Sequence, residues 1–280
     1  MIERAIYSLW TKPMNDEFTG FNTEQSLMEC FSLSVNYSKK WFKEVHLITD
    51  LKGKELVEDY NLSFDHINTD LEEDLSDIDK KNWAIGKLYS MKIQDKPFLH
   101  IDNDVILFKK LPDEMLKKEI LFQCSEKEVY PYYRDLLDFD EINFKDKPSW
   151  YNTKKVEAYN CGIVGMNRLD LLEEWWESAL SHIEYLKKIG GYGDIRQTPC
   201  LVFEQQYVGC LVEHYGYDIG MLSDYSENKH WVEDDIAEKL GYTHLIADCK
   251  RDPKVEKKIK DKLKKEGIVV KKNNKELNIY

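Results

Sequence analysis

The segment Phe98–Phe108, FLHIDNDVILF, sets Asp102 and Asp104 between two apolar runs. Carboxylates in apolar company are costly unless a cation or hydrogen-bond donors compensate them. Placed at i and i+2 past a strand end, the two can converge on one hard cation once the chain turns. Oxygen ligands suit Mg²⁺ or Mn²⁺. Two plainer readings compete: Asp102 closing an Asx turn, and Asp104 simply solvated. An EF-hand loop is excluded, because its glycine is missing and Val105-Ile106-Leu107 follows at once.

Other chemistry-bearing residues lie further along. Lys87 sits in a helical stretch ahead of the aspartates, and Asp50 ends an apolar run on the edge where open α/β sheets bind ligands. Downstream come Tyr159–Asn167 (YNCGIVGMN), Glu204-Gln205-Gln206, and His244–Lys250 (HLIADCK). Each has an ordinary alternative. Lys87 and Lys250 fit solvated surfaces, Asn160 fits a turn cap, Glu204 and Gln205 fit a polar helix face, and His244 fits a hydrogen-bonded structural role.

In this order the segments resemble a known set. The Lys87 helix followed by HIDND looks like the DxD region of GT-A glycosyltransferases. YNCGIVGMN is similar to the F-N-[SA]-G-[VI]-x-x-x-N strand of the retaining family that includes glycogenin and bacterial lipopolysaccharide galactosyltransferases. Glu204-Gln205-Gln206 resembles that family's D-Q-D, and HLIADCK its H-x-x-G-x-x-K. Departures are Glu204 for Asp, Gln206 for the second Asp, Ala247 for Gly, and Arg251-Asp252 for Pro-Trp. The first strand also lacks the acidic residue that often reads the nucleobase.

The resemblance implies a nucleotide-sugar donor, most simply a UDP-sugar, and one sugar transferred to a hydroxyl on a glycan or lipid-linked acceptor. It implies Mn²⁺ or Mg²⁺ held by Asp102, Asp104 and His244, against the charge that builds on the leaving diphosphate. Lys87, Asn103, Asp50, Gly162 and Lys250 would bind the donor. Asn160 and Glu204 would meet sugar hydroxyls, and Gln205 would lie on the donor's reactive face. Two other functions stay open: a sugar nucleotidyltransferase, and a non-catalytic module that binds glycans or a partner.

The elements that must position these groups read as repeated β-α units. Strands are expected at Arg4–Trp10, Val45–Thr49, Leu62–Ile67, Pro97–Ile101 and Cys161–Met166, with a late strand or loop in Gly241–Ala247. Helices are expected at Glu24–Trp41 with Thr23 as N-cap, Lys54–Tyr60, Trp83–Ile93, Leu169–Ile189 ended by Gly190-Gly191, Cys200–His214, and Pro253 to about Lys265. The pattern predicts an α/β fold, GT-A-like, with a mostly parallel central sheet flanked by helices. One catalytic domain is expected over 1–250, with a nucleotide-binding half to about 110 and an acceptor half from about 111. A basic helix and tail would follow over 251–280.

Composition narrows the partners. With 280 residues and 42% hydrophobic content, a sizeable core is available, and a net charge of -12 argues against nucleic-acid binding. The six cysteines form no CxxC pair, so reduced thiols are expected. With no apolar leader and no run long enough to span a bilayer, a cytoplasmic location is expected. Val255, Ile259 and Leu263 repeat at i, i+4 and i+8 in the basic C-terminal helix, which fits either a solvated exterior helix or peripheral contact with an anionic membrane. No P-loop, G-x-S-x-G or G-x-G-x-x-G occurs, so kinase-like, hydrolase and dinucleotide-dehydrogenase readings lack support.

Overall fold

The computed structural model describes residues 1–14, 18–126, 130–193, 195, 199–224 and 234–273. The strands are β1 (Arg4–Leu9), β2 (Glu44–Thr49), β3 (His66–Asn68), β4 (Phe98–Ile101), β5 (Val105–Leu107), β6 (Ile120–Ser125), β7 (Tyr159–Met166), β8 (Ile219–Met221) and β9 (Tyr242–His244). The helices are α1 (Glu24–Trp41), α2 (Leu51–Asp59), α3 (Leu71–Asp74), α4 (Ile85–Lys92), α5 (Tyr130–Asn143), α6 (Leu172–Ile189), α7 (Tyr207–Tyr215), α8 (Asp234–Leu240) and α9 (Pro253–Lys265). A π-helical turn over Leu201–Gln206 runs directly into α7.

Seven strands form one sheet in the order β3-β2-β1-β4-β7-β6-β8. Its pairings are parallel except where β7 meets β4 and β6, so β7 alone runs against the rest. The expected α/β architecture with a mostly parallel sheet is therefore present.

Side-chain alternation sends the strands' residues into two cores. Ile6, Phe98, Phe122 and Val164 face α4, α6 and the π turn. Ala5, Tyr7, Leu99, Leu121 and Ile163 face α1 and α9. Burial on both faces is what parallel strands require, and it explains their near-continuous apolar runs. A small antiparallel pair, β5 with β9, sets Val105 opposite His244.

The helix caps form as the sequence pattern predicts. Thr23 caps α1 by accepting from Ser26 N–H, and Gly190 closes α6 with φ 82°. Three expectations are corrected. The strand expected at Leu62–Ile67 is only His66–Asn68, because Leu62 closes the end of α2 through its N–H to Val57 O and is buried there. The helix expected over Cys200–His214 is broken into the π turn and α7. The apolar stripe of α9 is turned inward, not to the surface. Val255, Ile259 and Leu263 are buried in the core that includes α1, leaving only lysine-rich faces outside. Residues 274–280 of the expected tail lie outside the described residues. No helix among the described residues is long and apolar enough to cross a membrane.

Candidate active site

β4 ends at Ile101, and the chain turns sharply through Asp102-Asn103-Asp104. Asp102 N–H donates to Gly162 O at 2.9 Å, and Val105 N–H donates to Asp102 O at 3.0 Å. The turn thus sits at the carboxyl edge of the sheet, where β1 and β4 run side by side. Because β5 begins one residue after Asp104 and pairs with β9, His244 is delivered beside the aspartates. One ligand atom from each of Asp102, Asp104 and His244 can be chosen so that all lie within 4.8 Å of one another.

Several groups hold this corner. His244 Nδ1 is 2.8 Å from Gln123 Oε1, which orients the ring, and Nε2 lies 3.4 Å from Asp104 Oδ1. Gly162 makes room for that pair. A β-carbon at 162 would stand 2.3 Å from His244 Cε1 and 2.6 Å from Gln123 Oε1. Lys250 Nζ is 2.5 Å from Asp104 Oδ2 and donates to Thr19 O at 2.9 Å. Burial alone would raise the Asp104 carboxyl, but Lys250 and His244 outweigh it and hold it well below the carboxylate range. Burial raises Asp102, with Lys87 pulling the other way.

The donor set fits a divalent metal. Two carboxylates and an imidazole are N and O donors that could hold a metal ion, and Asp104 Oδ1 is buried with no hydrogen-bond partner among the described residues.

A second corner is built around Lys87, on α4. Its Nζ is 2.7 Å from Asp102 Oδ1, 2.6 Å from Glu204 Oε1 and 3.1 Å from Cys161 O. Burial would lower this lysine, but the two carboxylates outweigh it and keep it charged. Glu204 is raised by burial against Lys87, and its Oε2 is buried without a partner among the described residues. Gln205 accepts from the Tyr133 hydroxyl.

Asn160 does not stand alone. Its Oδ1 accepts from Gly162 N–H at 3.0 Å and its Nδ2 donates to Glu126 Oε1 at 2.7 Å. Burial raises Glu126, opposed by that hydrogen bond.

These groups line one cleft of about 1000 Å³. Lys87, Asp102, Asn103, Asp104, Asn160, Gly162, Glu204, Gln205, His244 and Lys250 all reach it. Asp50 does not. Its Oδ2 accepts from Thr11 N–H at 2.7 Å and from the Thr11 hydroxyl at 2.9 Å, while its Oδ1 caps α2 through Gly53 N–H at 2.7 Å. The expectation of nucleotide contact is corrected: Asp50 ties β1 to the start of α2.

Two departures from the family pattern now have structural accounts. Gln206 is fully buried, donates to Asn152 O and Lys155 O, and accepts from Glu157 N–H. It anchors a loop and does not face the cleft. Ala247 keeps the left-handed backbone that glycine favours, with φ 51°.

The sequence reading missed Gln123, Glu126, Tyr133, Trp83 and Tyr132. Gln123 follows the apolar start of β6, and Glu126 lies just past its end. That is the same strand-end signal that marked Asp102. Trp83 and Tyr132 line the cleft yet are 45% and 57% exposed, so packing does not explain them.

A family model described as "Family of unknown function (DUF6734)" matches residues 3–268. The chain belongs to this family. No curated protein matches it. Among solved structures, the chain is similar to mouse xyloside xylosyltransferase 1 in its apo form, with 13% identity, a TM-score of 0.42, and coverage of 87% of this chain and 97% of that one. It is also similar to an active-site mutant of LgtC, with 11% identity, a TM-score of 0.47, and coverage of 92% and 94%. The galactosyltransferase LgtC with donor and acceptor sugar analogues gives 11% identity, a TM-score of 0.43, and the same 92% and 94% coverage.

Proposed function

We propose that this chain is a glycosyltransferase that takes a sugar from a nucleotide-sugar donor, a UDP-hexose in the simplest form, and places it on a hydroxyl acceptor with retention. The observation that carries the reading is the convergence of Asp102, Asp104 and His244 at the carboxyl edge of the sheet, in one cleft with Lys250, Glu204 and Gln205. The sequence separates these motif residues by as much as 148 positions (Asp102 to Lys250).

Asp102, Asp104 and His244 would hold Mn²⁺ or Mg²⁺, which supplies positive charge against the leaving diphosphate. Lys250 stands beside Asp104 with a charged head that can meet phosphate oxygens. Lys87 keeps Glu204 oriented, so that its partnerless Oε2 can accept from a donor hydroxyl. Tyr133 fixes the Gln205 carboxamide against the cleft. On the acceptor side, Asn160 aims Glu126, and the exposed faces of Trp83 and Tyr132 suit the flat apolar side of a pyranose ring.

The domain is read as one catalytic unit to about residue 250, with α9 packed into its core, working on a glycan or lipid-linked acceptor in polysaccharide synthesis at the cytoplasmic side. Any membrane contact by α9 would be electrostatic, through its outer lysines.

The alternatives find less support. A nucleotidyltransferase needs a loop after β1 that cradles a triphosphate, but the amide and hydroxyl of Thr11 are engaged by Asp50. A non-catalytic module would follow if Gln206 and Ala247 marked a degenerate site, but both have the accounts given above.

The test is a thermal shift with UDP, GDP and CMP, each with and without Mn²⁺, because a ligand that binds only the native state raises the midpoint. A rise with UDP that requires Mn²⁺, and that Asp104→Asn abolishes, is expected. No rise with any nucleotide sinks the reading.

A further inference from the structure

The π turn that carries Glu204 and Gln205 is the least regular element around the cleft. Its defining bond runs from Tyr207 N–H to Val202 O, five residues back. Such turns are rare and give way to regular α winding unless their surroundings hold them.

Here two helices grip it, each with residues seven apart and therefore on one face. From α6, Trp175 Nε1 donates to Phe203 O at 2.7 Å, and His182 Nδ1 lies 2.9 Å from the Tyr207 hydroxyl. From α5, the Tyr133 hydroxyl donates to Gln205 Oε1, and Asp140 accepts from Tyr151 at 2.7 Å and from Tyr192 at 3.1 Å. Tyr192 joins the two helices, its hydroxyl 3.0 Å from His182 Nε2. A hydrogen on Nε2 and a lone pair on Nδ1 would let donors run in one direction: Tyr207 to His182, His182 to Tyr192, Tyr192 to Asp140. Asp140, His182 and Tyr207 are each 0% exposed, and none of them lines the cleft.

We propose that His182 and Asp140 are positioning residues, which keep the 201–206 turn π-wound and so set Glu204 against Lys87 and Gln205 into the cleft. The proposal rests on the reading of Glu204 and Gln205 as donor-facing. Its physical basis is the helix angle. Slipping from π to α winding moves the register by one residue, which turns a side chain by about 100°. Glu204 would then leave Lys87 and lose the carboxylate orientation that a sugar hydroxyl needs.

His182→Phe keeps a flat ring among Phe144, Tyr207 and Tyr185 but removes both nitrogens. Tyr207→Phe removes one hydroxyl only, and serves if the first variant does not fold. Two readouts are needed: a crystal structure of the variant over 201–207, and calorimetric affinities for UDP-galactose, UDP-glucose and UDP with Mn²⁺. The expected result is a Tyr207 N–H bonded to Phe203 O, an open Lys87–Glu204 contact, and unchanged UDP affinity. The preference for a UDP-hexose over UDP should fall about tenfold or more, as for losing one hydrogen bond to a charged group. A turn that stays π-wound in both variants overturns the clamp. A turn that relaxes while the preference holds removes Glu204 from donor recognition and overturns its functional role. If the wild type binds neither UDP-hexose better than UDP, the donor reading fails, and the crystal structure alone decides the clamp.

Discussion

At the Asp102–Asp104–His244 corner of the cleft, the proposed metal corner, backbone hydrogen bonds place the groups. The Asp102–Val105 turn is closed by its own amides, and the β5–β9 pair carries His244 to its place. At the Lys87–Glu204 corner, the proposed sugar corner, side chains do this work: Lys87, Trp175, Tyr133 and the His182 chain all hold a turn whose own bonding is irregular. The charge balance differs too. Asp104 is countered by Lys250, which also reaches the 18–20 turn on the surface, whereas Glu204 is countered by a lysine sunk among carboxylates. A corner fixed by backbone should tolerate changes to its neighbours until something invades its space. A corner fixed by side chains should fail when one partner is removed.

The largest effect is expected from Lys87→Met. It leaves Glu204, 1% exposed, facing Asp102 with no cation between them. Removing one partner of a buried ion pair costs about 3–5 kcal/mol, which corresponds to roughly a 10 °C fall in midpoint for a chain of this size. Lys250→Met, nearer the rim, should cost less than half as much. Thermal denaturation of both variants measures the contrast. Equal losses would show that the two corners are not built differently.

Gly162→Ala comes next and attacks the backbone-built corner by volume. The added methyl would fall inside the His244–Gln123 pair, so the ring must swing away from Asp104. Overpacking of this kind costs about 1–3 kcal/mol. Mn²⁺ affinity in the presence of UDP should fall about tenfold or more if each lost ligand weakens the site by one to two kcal/mol. Retained affinity would remove His244 from the ligand set.

The same contrast governs what was legible in the sequence. The aspartate pair was readable because polar residues interrupting apolar strands are conspicuous, and the ordered motifs supplied His244, Lys250 and Glu204. The π turn was not readable. One extra residue in a helical ladder leaves the apolar spacing of Leu201, Val208 and Val212 close to α-helical. Asp50 was misread because a strand-end aspartate on the ligand edge is also the ideal N-cap of the next helix. Starting that helix at Lys54 rather than Leu51 hid the cap. The apolar stripe of α9 was read correctly as amphipathic, but which surface covers a stripe is a tertiary fact. Glu126 and Gln123 were lost with β6 itself, whose run ILFQCS was never read as a strand.

The smallest expected effect lies at Ala247, where the metal corner departs from the glycine of the resembled motif. Its φ of 51° lies in the left-handed region, where a β-carbon crowds the carbonyl oxygen and costs about 1–2 kcal/mol. Glycine removes that strain but loses more backbone freedom on folding, which offsets part of the gain. Ala247→Gly should therefore raise stability by about 1 kcal/mol or less, a midpoint rise of roughly 2 °C. The strain sits three residues before Lys250, so relieving it should leave the Lys250–Asp104 pair in place and Mn²⁺-dependent UDP binding intact. A lower midpoint in the glycine variant would mean that the methyl of Ala247 packs usefully against the cleft. The tightness of the metal corner would then come from side-chain contact as well as backbone, and the contrast between the two corners would narrow.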